Sequence, residues 1–166
     1  MNIFQFAMEK EKYSEDYYRQ LAQKTNNKGL RNICLMLAEE EEKHYKIVQE
    51  MQKISFKDIA ETYVIKDAKK IFESMKTAAE DFNFNINEPE LYKKARDIEQ
   101  QSKEFYLEKT RETNNTNHKK IFTKLAEEEN KHYSILDKIC VFVERPQWFL
   151  ENAEMYRFDD YAEGVL

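Results

Sequence analysis

The chain has 166 residues, a net charge of −5, and only 2 Gly and 2 Pro. That is enough for one domain with a substantial core and little turn chemistry. Acidic and basic residues are interspersed without a basic stripe, which argues against a nucleic-acid partner, and no apolar run approaches the ~20 residues needed to span a bilayer.

A first helix is predicted from about Ile3 to Lys24, in a stretch of good helix formers, and a break follows at TNNKG. A second runs from about Leu30 to Met51. A long connection, residues 52–90, holds one helical candidate from about Asp67 to Asp81. A third helix is predicted from Pro89 to Glu112, with proline at a first turn where its missing N–H costs nothing. After a break at TNNTN, a fourth spans about Lys119 to Val143. The tail, 144–166, is expected to carry a short helix from about Trp148 to Phe158, packed on the bundle or on a neighbouring subunit. Cys34 and Cys140 lie far apart among apolar neighbours and read as core thiols. The opening MNIFQFAMEKEK has no basic region followed by an apolar stretch and cleavage site, so a cytoplasmic location is expected.

The chain contains itself twice. Shifted by 88 residues, positions 7–51 align with 95–139 without a gap, and 17 of the 45 pairs are identical. LAEEEEKHYKIV (37–48) returns as LAEEENKHYSIL (125–136), and TNN at 25–27 returns at 113–115. A period this long means two copies of one supersecondary unit, here an antiparallel helix hairpin. The expected fold is therefore all-α: a four-helix bundle over 1–143 made of two duplicated hairpins joined by a crossover at about 52–90, plus the tail. A swapped dimer, each hairpin completed by a partner chain, fits the same pattern.

The helix faces carry carboxylates where apolar residues belong. The second helix has an inward stripe of Leu30, Ile33, Leu37, Glu41, His44, Val48 and Met51, at the three- and four-residue spacing of a core face. The fourth repeats it with Ile121, Leu125, Glu129, His132, Leu136 and Ile139. The first gives Phe4, Ala7, Glu11, Ser14, Tyr18 and Leu21; the third gives Leu91, Ala95, Glu99, Ser102 and Tyr106. An unpaired buried carboxylate loses several kcal/mol of solvation, and four at one level repel one another. Two divalent cations would compensate four negative charges. Four Glu and two His then make a ligand set known in dinuclear carboxylate bundles. Residues i and i+3 share a face, so Glu41 and Glu129 can bridge two metals while His44 and His132 each cap one. Glu11 and Glu99 would be terminal ligands. Tyr18 and Tyr106 face the same core two turns on. They read either as phenols that bond the ligands or take part in redox chemistry, or as ordinary amphipathic core tyrosines. Glu39, Glu40 and Glu42 are expected on a solvated face, and His118 near a helix start on the surface.

EKYSEDYYRQLA (11–22), LAEEEEKHY (37–45), EQQSKEFY (99–106) and LAEEENKHY (125–133) together resemble the rubrerythrin branch of the ferritin-like superfamily. The resemblance implies a ferritin-like bundle with metal ligands at Glu11, Glu41, His44, Glu99, Glu129 and His132. It implies two Fe ions, with Mn an alternative, and a di-iron oxidoreductase that reacts with O2 or H2O2 in oxidative-stress defence or ferrous-iron oxidation. A homodimer is expected. The tail has no Cys and so no rubredoxin-type knuckles, and an external electron donor such as a rubredoxin-like protein is expected. Peroxidase-type members carry an extra glutamate three residues after the third-helix ligand. Ser102 stands at that position, which weighs against the peroxidase subtype. The alternatives are a non-catalytic iron or manganese binding or storage protein, and a helical interaction module whose Glu and His are incidental.

Overall fold

The computed structural model describes residues 2–53, 63–77, 84 and 87–152. Among these there are six α-helices and no strand: α1 Ile3–Lys24, α2 Lys28–Met51, α3 Val64–Thr77, α4 Glu88–Glu112, α5 Thr116–Glu144 and α6 Pro146–Glu151. None is long and apolar enough to cross a membrane. α1 packs along α2, and α4 along α5, as the two hairpins. The hairpins meet in one core, enclosed by four long helices of the chain.

The sequence explains the ends. Asn2 caps α1 by accepting from the Gln5 N–H at 2.9 Å, and the Gln5 side chain answers by accepting from the Asn2 N–H. The repeated TNN is one turn built twice. Thr25 and Thr113 end α1 and α4 in extended backbone. Their hydroxyls accept from the N–H of Asn27 and Asn115, both at 3.2 Å. Those asparagines then cap α2 and α5. The caps start α2 at Lys28 and α5 at Thr116, two and three residues earlier than stripe periodicity predicts, because capping satisfies the first turn before any core residue is needed.

α3 begins at Val64 rather than Asp67. The Tyr63 carbonyl accepts from the Asp67 N–H at 2.9 Å, and buried Val64 supplies an apolar first turn. Its expected end at Asp81 lies outside the described residues. α3 lies across α2 and α5 and also touches α6. Its Phe72 meets Phe142 of α5 and Phe149 of α6 edge to face, with centroids 5.7 and 5.1 Å apart. A Cβ on Gly29 would collide with the Met75 side chain of α3. The second copy has exposed Asn117 at the matching position, so at this point of the hairpin only the first copy meets α3. α6 starts at Pro146, two residues before the expected Trp148, and buries Phe149 and Leu150. The expected end at Phe158 lies outside the described residues. Cys34 and Cys140 are buried free thiols, and burial pushes them up to about 12 and about 11.

The core has two apolar clusters. One holds Leu30, Ile33, Leu37, Phe72, Ile135 and Ile139 with Tyr18; the other holds Ala7, Val48, Met51, Phe122 and Leu125 with Tyr106.

Candidate metal centre

Between those clusters lies a polar layer. Glu11, Glu41, His44, Glu99, Glu129 and His132 all come together there, and none is more than 2% exposed. α1 and α4 each supply one carboxylate, and α2 and α5 each supply a Glu–His pair one turn apart. The helix period places all six inward because each occupies a stripe position.

The two imidazoles sort the carboxylates into kinds. Glu41 faces both rings: one oxygen is 2.7 Å from His132 Nδ1, the other 3.6 Å from His44 Nδ1. Glu129 does the mirror, at 3.1 Å from His44 Nδ1 and 3.7 Å from His132 Nδ1. Glu11 faces only His44, at 3.6 Å, and Glu99 only His132, at 3.7 Å. Glu11, Glu41, His44 and Glu129 bring ligand atoms within 4.8 Å of one another; so do Glu41, Glu99, Glu129 and His132. Glu41 and Glu129 belong to both groups, as two bridging ligands would. The rings lie 5.4 Å apart and nearly parallel, at 10°. Oε2 of Glu41, Glu99 and Glu129 is buried without a hydrogen-bond partner. Such atoms are costly in a protein interior, and cations among them would supply what they lack. The donor set of carboxylate oxygens and imidazoles suits iron, manganese or zinc.

Tyr18 of α1 donates to Glu99 of α4, and Tyr106 of α4 donates to Glu11 of α1. Each phenol therefore holds the lone cage carboxylate of the opposite hairpin. The reading of both as plain core tyrosines does not cover this bond. Burial, then the neighbouring carboxylates, push both phenols well above their ordinary range, so they act as neutral donors.

Protonation in the cage follows from burial and crowding. Burial raises Glu11 to about 7, although His44 pulls it down. Burial, then Glu41, Glu11 and Glu99, push Glu129 well above the usual carboxylate range. Burial acts on Glu41 too, but His132 and His44 outweigh it and hold that carboxyl low. Burial opposes protonation of both rings, yet facing carboxylates, led by Glu129 for His44 and Glu41 for His132, raise them well above normal.

Glu40 departs from expectation. Glu39 is exposed and Glu42 partly so, but Glu40 is buried at 6%, with Oε1 held by Lys43 at 2.6 Å. Its copy Glu128 is fully buried and held by Lys131 at 2.8 Å and Lys124 at 3.5 Å. The signal was present: Glu40 lies three after Leu37 and four before His44, which is itself stripe spacing. Tyr92, fully buried and donating to Glu88 at 3.0 Å, also lies outside the expected stripe, which runs through its half-buried neighbour Leu91. His118 is half-buried near the start of α5, edge-on to Phe4 at 5.4 Å and outside the cage.

An all-α bundle with a Glu–His pair on two helices and a lone Glu on the other two defines a ferritin-like carboxylate protein. The chain belongs to the rubrerythrin family, a ferritin-like di-iron carboxylate family, whose model, described as Rubrerythrin, matches residues 2–140. No curated protein and no solved structure gives a significant match.

Proposed function

We propose that the chain is a di-iron oxidoreductase that reacts with O2 or H2O2. The observation that carries it is the pair of four-residue ligand groups sharing Glu41 and Glu129. Glu11 and His44 would complete one iron site, Glu99 and His132 the other. Two ferrous ions held by these residues would supply the reducing electrons for O2 or H2O2. The protein's part is to hold, orient and exclude water. Tyr18 and Tyr106 fix the terminal carboxylates, and the two apolar clusters wall the layer on both sides. The near-zero exposure of the cage favours a diatomic or peroxide oxidant over an organic substrate. Manganese would fit the same donors.

Re-reduction would come from an external electron donor of rubredoxin-like kind, and the working form would be a homodimer in the cytoplasm. Buried Ser102, in place of the extra carboxylate of peroxidase-type members, favours ferrous-iron oxidation by O2 over peroxide reduction. It is also compatible with a non-catalytic iron carrier.

The test is metal analysis followed by stopped-flow oxidation of the anaerobically loaded ferrous protein. Two irons per chain and rapid consumption of O2 or H2O2 support the enzyme. Two irons that stay ferrous in air support the carrier, and no bound metal removes both.

A further inference from the structure

Each imidazole has two nitrogens, and the cage uses one. His44 Nδ1 faces Glu129, Glu41 and Glu11; His132 Nδ1 faces Glu41, Glu99 and Glu129. A neutral imidazole that offers its Nδ1 lone pair to a metal carries its hydrogen on Nε2. Both Nε2 atoms are buried without a hydrogen-bond partner. Beyond the six candidate ligands, Glu40 Oε2 is a buried oxygen in the same condition. Glu40, His44 and His132 each bring a ligand atom within 4.8 Å of the other two.

We infer that Glu40 is a positioning residue for both histidines. Its Oε2 accepts the Nε2–H of His44 and of His132, directly or through one water, and holds both rings in the tautomer that turns Nδ1 to the cage. The inference rests on reading the cage as a metal site. One carboxylate oxygen has lone pairs for two donors, and the two rings lie nearly parallel, 5.4 Å apart. Lys43 occupies Oε1 and leaves Oε2 to the imidazoles. A third cation among these atoms would require each ring to give up the Nε2 hydrogen while Nδ1 also binds metal, so an acceptor role fits the chemistry better.

The duplication explains why the first copy has the task. Glu128 has two lysines, Lys124 and Lys131. Met36 stands where the first copy would have the counterpart of Lys124. Such acceptors behind metal-bound imidazoles typically contribute 10–100-fold in metal affinity.

The test uses the full chain with Zn(II) for histidine side-chain NMR and Co(II) for competitive titration. Wild type should bind two equivalents of Co(II), and its Zn(II) form should show slowly exchanging Nε2–H signals from both rings. Glu40→Gln keeps the shape but weakens the acceptor. It should shift those signals, speed their exchange and lower Co(II) affinity about 10–100-fold, with helical circular dichroism unchanged. Met36→Lys gives Glu40 the second lysine of its copy and should act in the same direction. If Glu40→Gln does not fold, Met36→Lys decides. Unchanged Nε2–H signals and affinity, with two metals still bound, overturn this inference and leave the metal reading intact. A third Co(II) equivalent lost in Glu40→Gln makes Glu40 a ligand and also overturns it. A wild-type chain that binds no Co(II) overturns both.

Discussion

Glu41 presents one oxygen to each imidazole, whereas Glu11 reaches only His44. The two should therefore fail differently. Glu41→Ala removes a bridge and should leave fewer than one metal per chain. Glu11→Gln removes one terminal charge and should leave one site largely filled. Metal analysis of the purified variants distinguishes them, and equal occupancy in both would refute the bridging assignment. The tyrosines permit a gentler test. Tyr18→Phe keeps the buried ring but deletes the donor to Glu99. Its loss should weaken metal binding about 10–100-fold and cost the fold about 1.5–3 kcal/mol, the range for a hydrogen bond to a charged group. Competitive cobalt titration and denaturant melts read the two effects separately. The four cage glutamates were legible because a glutamate in an apolar stripe has no bland explanation, and the two histidines because each lies one turn further along the same stripe. Their pairing was not: Tyr18 with Glu99, Tyr106 with Glu11 and each histidine with the opposite hairpin's bridging carboxylate are contacts across the duplication axis, which no local spacing encodes. Glu40 stayed hidden because four consecutive glutamates blur the helical phase.

At the scale of the element, periodicity located the four long helices; α2 and α5 start earlier where asparagine caps take over from core contacts, and α4 starts one residue earlier, at Glu88. α3 was harder to read. It belongs to a connection rather than to the repeat, and the reason for its position lies in the partner surface. Phe72 sits between Phe142 and Phe149, and Met75 lies over Gly29. This helix therefore ties the crossover to α5 and α6 without touching the cage. Phe72→Ala should cost about 3–5 kcal/mol, as large aromatic truncations in cores do. Metal stoichiometry in the folded fraction should remain at the wild-type value. Calorimetry with metal analysis checks both, and a variant that melts as wild type would mean that α3 is not seated as described.

Across the whole molecule, the cage opposes folding whenever its charges are uncompensated. In the metal-free protein, protons take the place of cations. Glu11 is raised from an ordinary 4.5 to about 7, and Glu129, His44 and His132 are raised as well. A raised group binds protons more tightly in the native state. Its stabilising effect is full below the unfolded pKa and disappears as pH climbs through the folded one. For Glu11 that window runs from about 4.5 to about 7. Glu41 is lowered and acts oppositely, losing its contribution as pH falls. Three raised groups beside Glu11 outweigh one lowered, so the stripped protein should become less stable from pH 6 to pH 8. Metal binding displaces those protons, so the loaded protein should keep its stability over the same range and release protons on loading. At a free metal level ~1,000 times the dissociation constant, binding contributes about 4 kcal/mol. At roughly 2–4 °C per kcal/mol for a domain of this size, chelation should lower the melting temperature by about 8–16 °C, with the gap widening toward pH 8. Differential scanning calorimetry with and without chelator decides the matter. A chelated protein that melts at the same temperature at pH 6 and pH 8, level with the loaded form, would mean that the inward carboxylates are not compensated by cations at all.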